Sequence, residues 1–512
     1  MGVIGLLKDF SGWTSAHGIP QIGSARNHVV RFIWIIIYCG FFGYFCYNLY
    51  VIGRTYFKYD YTVQTTILFE ERQFPSVTVC NRNPYRNTKV QSLSGSVVTE
   101  IKKLMSHYEK AVSDNAITTD TFQFTGLVKR TEKIKRAREA LVFVSRQLST
   151  EDWTKLTYQL EDVLLECRFG NQDCTVSDFD LSRDPYFGAC YTFNHLDPVK
   201  YNSSRVGAKL GLSLLLKNDQ DDLLPLTDVA GLRISIHRHN TDPFPDAFGY
   251  DAANGFINSF GLSFETNTRL EEPYDDCTKS KTKLSTYYYN SSYTMEACVR
   301  SCYQKKIIAN CSCADPRFAT DAKKTAFCNW DKFHCTEDTT TSQDCQCTQP
   351  CEDIAYTVIA SQAWWPQDTN KAGGDHTDHK CGTKTSSSDF EQCVAWWNEN
   401  TVRVKVYFEK LSYKKYVSEA AYTYMDVMTD LGGQIGLWLG WSVITIVEFV
   451  GFLLICICYC IARSKGPPVI PEEDDHANDM DDIDDWIKEE HKDSKNLSHG
   501  EDNDSETDDN LE

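Results

Sequence analysis

Positive charge is scarce in this 512-residue chain: 52 Lys+Arg stand against 71 Asp+Glu, a formal charge of -19. No basic stripe is available to follow a phosphate backbone, which excludes nucleic acid as a partner. The deficit is local. Residues 467–512 hold 19 acids and 3 Lys, a charge of -16 that leaves only -3 for everything before them. No Gly-x-Ser-x-Gly elbow, His-Glu-x-x-His, phosphate loop or kinase set occurs, so the chain is read as neither an enzyme nor a cofactor protein. Internal repeats are also missing. Long apolar runs number only two, and the mean hydropathy of -0.41 excludes a polytopic membrane protein. It leaves room for two spans diluted by a large polar domain.

The first run, Phe32–Gly53, is 22 residues without a charge, between Arg31 and Arg54. About 20 helical residues match the hydrocarbon thickness of a bilayer. It starts too late, and runs on too far without a small-residue cleavage site, for a signal peptide. The second run, Leu431–Ala462, carries one charge, Glu448, and exceeds the length a span needs, so it is expected to be tilted, broken or partly outside the membrane. Between the runs lie 16 of the 21 Cys, from Cys80 to Cys393, and the Asn-x-Ser sequons at Asn202, Asn290 and Asn310. An even Cys count with sequons fits an extracellular domain joined by disulfides. Zinc is the alternative for the Cys-x-Cys and Cys-x3-Cys spacings, and the sequons favour disulfides over it, so no metal is expected. Both termini are then cytoplasmic, in agreement with Arg26, Arg31, Arg463 and Lys465. Cys456, Cys458 and Cys460 at the end of the second run are either palmitoylated or unmodified.

The segments read as follows: 1–31 a cytoplasmic N-terminus, 32–53 a transmembrane helix, 54–428 an extracellular domain, 429–462 a second transmembrane helix, and 463–512 an acidic disordered tail. Inside the large domain, Phe74–Asn81 is β-rich. Lys129–Leu148 and Glu151–Glu166 have helical spacing, with Thr150 a possible cap of the second. Alternation marks strands around Leu210–Leu214, Leu232–Ile236 and Val402–Phe408, and one sheet collecting all of them is expected. His237-x-His239 ends a strand pattern and is read as surface rather than a metal pair. Residues 367–392 read as a polar loop closed by Cys381 and Cys393.

Several segments carry a resemblance. They are His17-Gly18, FPSVTVCNRNP (Phe74–Pro84), LLECRFGNQDC (Leu164–Cys174), GACYTFN (Gly188–Asn194), CVRSCYQKKIIANCSC (Cys298–Cys313) and LGGQIGLWLGWSVITIVEF (Leu431–Phe449). In this order they resemble the degenerin/epithelial sodium channel superfamily, which includes acid-sensing and neuropeptide-gated channels, over residues 14–462. The resemblance implies an α+β membrane protein: two transmembrane helices flanking a disulfide-rich extracellular domain with a palm sheet, a helical finger near 85–189 and a thumb near 277–365. It implies assembly with itself as a trimer in the plasma membrane and an amiloride-blocked sodium pore. It implies the disulfides Cys80–Cys190, Cys167–Cys174, Cys277–Cys351, Cys298–Cys347, Cys302–Cys345, Cys311–Cys335 and Cys313–Cys328, with Cys381–Cys393 as an extra bridge. His17 and Gly18 correspond to its gating motif, and Gly440-Trp441-Ser442 to its selectivity filter.

The residues themselves support such a pore. Gly432, Gly433, Gly436 and Gly440 permit close backbone approach between membrane helices. Gly440 tolerates a helix break, and freed carbonyls at membrane depth are tolerated where they are buried in protein or line water. A ring of them can replace the hydration shell of an ion. Glu448 and Asp430 would attract cations along the same path, with Asp426 further out; an intramembrane carboxylate is functional by default. A Glu snorkelling to the interface is the bland alternative. Trp441 replaces the small Ala of acid-sensing channels and is expected to point away from the axis.

The stimulus is less legible. No His occurs between His28 and His107, and Tyr274 stands where acid-sensing relatives have Trp, which speaks against proton gating. The basic segment 129–148 and the Cys-rich thumb resemble the branch opened by FMRFamide-type peptides. The expected function is therefore a sodium channel opened by an extracellular neuropeptide, its ligand-binding residues unknown. The finger offers Phe122, Phe124, Trp153, Tyr158, Glu151 and Asp152 as candidates. A proton-gated or mechanically gated channel, and a non-conducting two-span receptor or adhesion protein, are the alternatives.

Overall fold

A computed structural model describes the chain except for residues 1–2, 114–116, 118, 196–198, 280–286, 289–290, 322–323, 341–344, 366–386 and 465–512. The chain divides into two compact units, 1–49 with 430–512, and 50–429.

Among the described residues the larger unit holds two large sheets and two small pairs, Arg72–Gln73 with Asn202–Ser203 and Cys277–Thr278 with Gln349–Pro350. The first has eight strands, in the order Tyr61–Phe69, Ser412–Ala420, Phe256–Thr268, Thr401–Phe408, Leu212–Lys217, Leu164–Phe169, Gln172–Asp173, with Glu352–Trp364 paired along Phe256–Thr268. The second has five, in the order Tyr250–Ala252, Leu232–His237, Ser76–Asn81, Gly188–Phe193, Phe179–Asp184. The expectation of one sheet is thus corrected. Val404 faces Leu214 in the first sheet, whereas Ile234 faces Val79 in the second. Alternation reports which face is buried, not which strand pairs with which. Leu212, Leu214, Ile234, Val404 and Phe74 nevertheless share one apolar core between the sheets.

A second core is helical. Ser96–Val112 and Arg130–Ser145 pack around Ile101, Leu104, Ala137, Ala140 and Phe143, and Trp330 and Phe333 close it from the Cys-rich region. The helix expected over 151–166 is shorter. It is split into Thr150–Leu156 and a short turn Leu160–Val163, and Ser149 rather than Thr150 caps the first, its Oγ accepting from the Asp152 amide at 3.1 Å. From Leu164 the chain is already strand. There Leu164–Phe169 joins Leu212–Lys217, and tertiary pairing overrides the local helical spacing.

Among the described residues seven disulfides join Cys80–Cys190, Cys167–Cys174, Cys277–Cys351, Cys298–Cys347, Cys302–Cys345, Cys311–Cys335 and Cys313–Cys328. Cys381 lies outside the described residues, as does Asn290; Asn202 and Asn310 are exposed. The Cys-rich region is built on helix Met295–Cys311, which three of these bridges hold. Thr294 caps it, its Oγ1 accepting from the Ala297 amide at 3.2 Å. Thr294→Ala is expected to cost this helix end about 1 kcal/mol. Amide exchange in its first turn should then be roughly fivefold faster, with the disulfides intact.

The smaller unit contains helix His28–Tyr56 up to residue 49, long and apolar enough to cross a membrane and almost wholly exposed along its side. Its other long segment, from residue 430 on, belongs to the pieces Tyr424–Leu439 and Val443–Cys458, both apolar and bent by 76° at a short break.

Candidate pore and gating site

The break falls at Gly440-Trp441-Ser442. Helix Tyr424–Gln434 widens into a π turn over Ile435–Leu439, and Gly440 ends it in the left-handed region at φ 63°. The Gly440 amide still donates to the Gly436 carbonyl at 3.1 Å. Helix Val443–Ser464 then begins afresh. Ser442 starts it reciprocally: its amide donates to Thr445 Oγ1 at 3.2 Å, and the Thr445 amide donates to Ser442 Oγ at 3.4 Å. Among the described residues the Gly440 and Trp441 carbonyls accept no hydrogen bond. Helix continuity would have consumed both. The Trp441 ring packs on Phe449 at 4.9 Å.

The N-terminal segment sits against this break. Phe10 of helix Val3–Trp13 stacks on Phe452 at 4.3 Å and meets Phe449 at 5.0 Å. Past that helix, the backbone carries Thr14 and Ser15 to Glu448. The Glu448 Oε2 accepts from the Ser15 amide at 2.8 Å, from Thr14 Oγ1 at 3.1 Å and from Ser15 Oγ at 3.2 Å. Ser15 Oγ and Thr445 Oγ1 lie 2.6 Å apart, and Thr445 is fully buried. A chain of polar contacts therefore runs from Glu448 through Ser15 and Thr445 to Ser442. His17 follows directly, and a Cβ built at Gly440 would fall on its imidazole. Gly18, at φ 88°, lies against Tyr38, where a Cβ would sit 3.1 Å from the ring.

Sequence position gave the break but not this contact. Glu448 is half-buried and engaged through one oxygen by a segment more than 430 residues away. Only a spare carboxylate in an apolar run and two hydroxyls beside His17 hinted at it. Gly433 faces open space and Gly436 nearly so, a Cβ there meeting only the Trp441 carbonyl at 4.0 Å. Asp430 is exposed. Asp426 caps its own helix, accepting from the Thr423 amide at 2.8 Å and hydroxyl at 2.7 Å.

In the larger unit the suggested finger aromatics are core: Phe122, Phe124, Trp153 and Tyr158 are all buried. Glu151 pairs with Lys155 at 2.5 Å, and Asp152 serves the Ser149 cap. Tyr274 packs edge-on to Tyr59 at 5.4 Å. His237 is no surface group. Burial pushes its pKa down to about 3, and its ring bonds Thr78 Oγ1 at 2.9 Å and the Arg238 carbonyl at 3.0 Å. Both ring nitrogens are thereby engaged within the protein. Asp184 lies beside a cavity walled by Arg183, Arg300 and Tyr288. Burial pushes its carboxyl up to about 6, against the pull of the Tyr186 and Phe187 amides at 2.8 and 2.9 Å.

The family model described as "Amiloride-sensitive sodium channel" matches residues 10–452. The degenerin-like protein asic-2 of Caenorhabditis elegans is 34% identical over 95% of this chain and 93% of its own length. Degenerin unc-8 of the same organism is 35% identical over 65% of this chain, and degenerin mec-10 is 31% identical over 74%. Those matches span 44% and 53% of the two degenerins. Among solved structures, a proton-activated chloride channel aligns over 82% of this chain and 97% of its own at 6% identity, with a TM-score of 0.28. By the family match and the asic-2 relative, this chain belongs to the amiloride-sensitive sodium channel family, within the degenerin/epithelial sodium channel superfamily.

Proposed function

We propose that the chain is one subunit of a trimeric, sodium-selective, amiloride-blocked channel of the plasma membrane. In this reading both long apolar segments span the membrane, both termini are cytoplasmic, and the Cys-rich unit is extracellular and glycosylated. The observation that carries the reading is the break at Gly440–Ser442 with two carbonyls left without partners among the described residues. Unsatisfied carbonyls in lipid cost several kcal/mol each, so contact with water or ions is what makes them tolerable at membrane depth. Three copies around one axis turn them into rings that replace part of the hydration shell of an ion. Glu448 keeps its Oε1 free of hydrogen bonds among the described residues, and it supplies negative charge below the rings. Residues 14–18 buttress the break from the same side, so His17 and Gly18 set whether the rings keep their geometry.

The stimulus in this reading is an extracellular peptide of the FMRFamide type. Proton gating is the second reading, and Asp184, with its carboxyl pushed up to about 6, is the observation that favours it. Whole-cell recording on cells expressing the chain alone separates them. A peptide panel at neutral pH, and then pH 5 solution, is applied with and without amiloride. A peptide-evoked, amiloride-blocked inward current is expected. Current on acid alone transfers the stimulus to the proton, and silence under both with the chain at the surface contradicts the homomeric ligand-gated reading.

A further inference from the structure

The finger aromatics are spent in a core, yet the larger unit has a second cavity, of about 570 Å3, walled by residues from three elements. One wall is strand Leu232–His237 and the loop that follows it, one is the start of helix Met295–Cys311, and one is the first half of strand Glu352–Trp364. Its volume falls in the range of small-ligand sites, about 300–1,000 Å3.

Two aromatic side chains stand on its walls, and one of them, Phe248, is not committed elsewhere. Phe248 is 61% exposed and stacks on no ring among the described residues. The Tyr356 ring packs on the core, 6.3 Å from Phe264, while its hydroxyl makes no hydrogen bond among the described residues.

The charge of the lining is one-sided. Asp242, Glu352 and Asp353 stand on it without an ion pair among the described residues. Asp242 accepts from Ser291 Oγ, and Asp353 from the Ile354 amide at 2.9 Å; the Glu352 carboxylate accepts nothing among the described residues. Glu296 is neutralised by Arg300 at 2.7 Å. The one lining guanidinium, Arg238, donates at 3.1 Å to the backbone carbonyl of Glu352 rather than to a carboxylate. Three carboxylates without an ion pair among the described residues, against one Arg, leave the cavity anionic.

We propose that this cavity binds an organic cation carrying an aromatic ring. Its ammonium or guanidinium would lie between Glu352, Asp353 and Asp242, and its ring against Phe248 and Tyr356. Tyr356 would donate to a carbonyl of the ligand. The peptide end Arg-Phe-amide has this chemistry. As the place where a gating peptide acts, the proposal rests on the ligand-gated reading; as a binding site, it does not.

The test is saturation binding of labelled Arg-Phe-amide to the purified full chain, with a citrulline-for-arginine analogue as the neutral control. Saturable binding is expected, weakened about 10- to 100-fold in Glu352→Gln/Asp353→Asn and similarly by the neutral analogue. Phe248→Ala, a surface change that spares the fold, should weaken it about tenfold. Binding unchanged in both variants, or no saturable binding to the folded parent chain, overturns the proposal. So does a photo-reactive group at position 248 that cross-links to a second copy of this chain instead of to the dipeptide. Binding without peptide-evoked current would leave the site standing and remove the gating reading. Peptide-evoked current unaffected by the variants would do the reverse.

Discussion

Gly440→Ala is expected to cut sodium current at least tenfold without lowering the amount of chain at the cell surface. Two costs act together. A residue with a Cβ costs about 1–2 kcal/mol in the left-handed region, and Gly440 sits there at φ 63°. The new methyl would also fall on the His17 imidazole. The break can relieve both only by moving, which re-aims the Gly440 and Trp441 carbonyls or dislodges residues 14–18. The two costs are separable. His17→Ala removes the imidazole, the tightest part of the contact, and leaves the backbone cost with a milder approach to the residue-17 Cβ at 2.7 Å, so His17→Ala/Gly440→Ala should carry more current than Gly440→Ala alone. Wild-type current in Gly440→Ala, or no gain in the double variant, would contradict the contact.

The second large effect is on stability against pH. The Asp184 carboxyl is raised from 3.8 to about 6 by burial, with Asp246 adding to the rise and Arg300 opposing it. A raised folded-state value means that its contribution is full below about pH 4 and is lost as pH rises through about 6. That rise is worth about 3 kcal/mol. His237 acts with the opposite sign. Its folded value is lowered to about 3 by burial, helped by His195 and His239 and opposed by the Arg238 carbonyl. Its contribution is present above about pH 6.5 and is lost as pH falls, at about 1.4 kcal/mol for each unit of pH. Between about pH 6 and 4 the two slopes nearly cancel. Asp184→Asn removes one of them. Between pH 7 and 5 the stability difference between parent and variant should grow by about 1 kcal/mol in favour of the parent. Thermal melts of the purified full chain at both pH values read this directly. An equal response of parent and variant to acid would place Asp184 in water rather than in the protein interior.

Local chemistry made some features readable in the sequence. Gly440 was recognisable as a break because few other residues enter the left-handed region cheaply, and the excess length of the second apolar run already demanded an interruption. The strands around Leu214, Ile234 and Val404 were recognisable because one face of each is buried. Their division into two sheets was not, since it depends on partners such as Val79 and Leu214 far along the chain. The break after Leu156 was hidden for the same reason: helical spacing continues through Leu160–Val163, itself a short helix, to Leu164, where the chain enters the sheet. The finger aromatics were ambiguous in principle, because a ring that fills a core and a ring that grips a ligand have the same sequence signature. The clasp of Glu448 by Ser15 joins opposite ends of the chain, and no local pattern reports such a pair.

The central claim is that Gly440–Ser442 lines the ion path. Its most direct test is Ser442→Cys, challenged during sodium current with a membrane-impermeant, thiol-reactive cation, against the parent chain with the five free cysteines of its described residues. The account predicts rapid, irreversible block of Ser442→Cys, slowed by saturating amiloride, and little change in the parent. Reaction no faster than in the parent, or full current after the introduced thiol is shown to be modified, would contradict it.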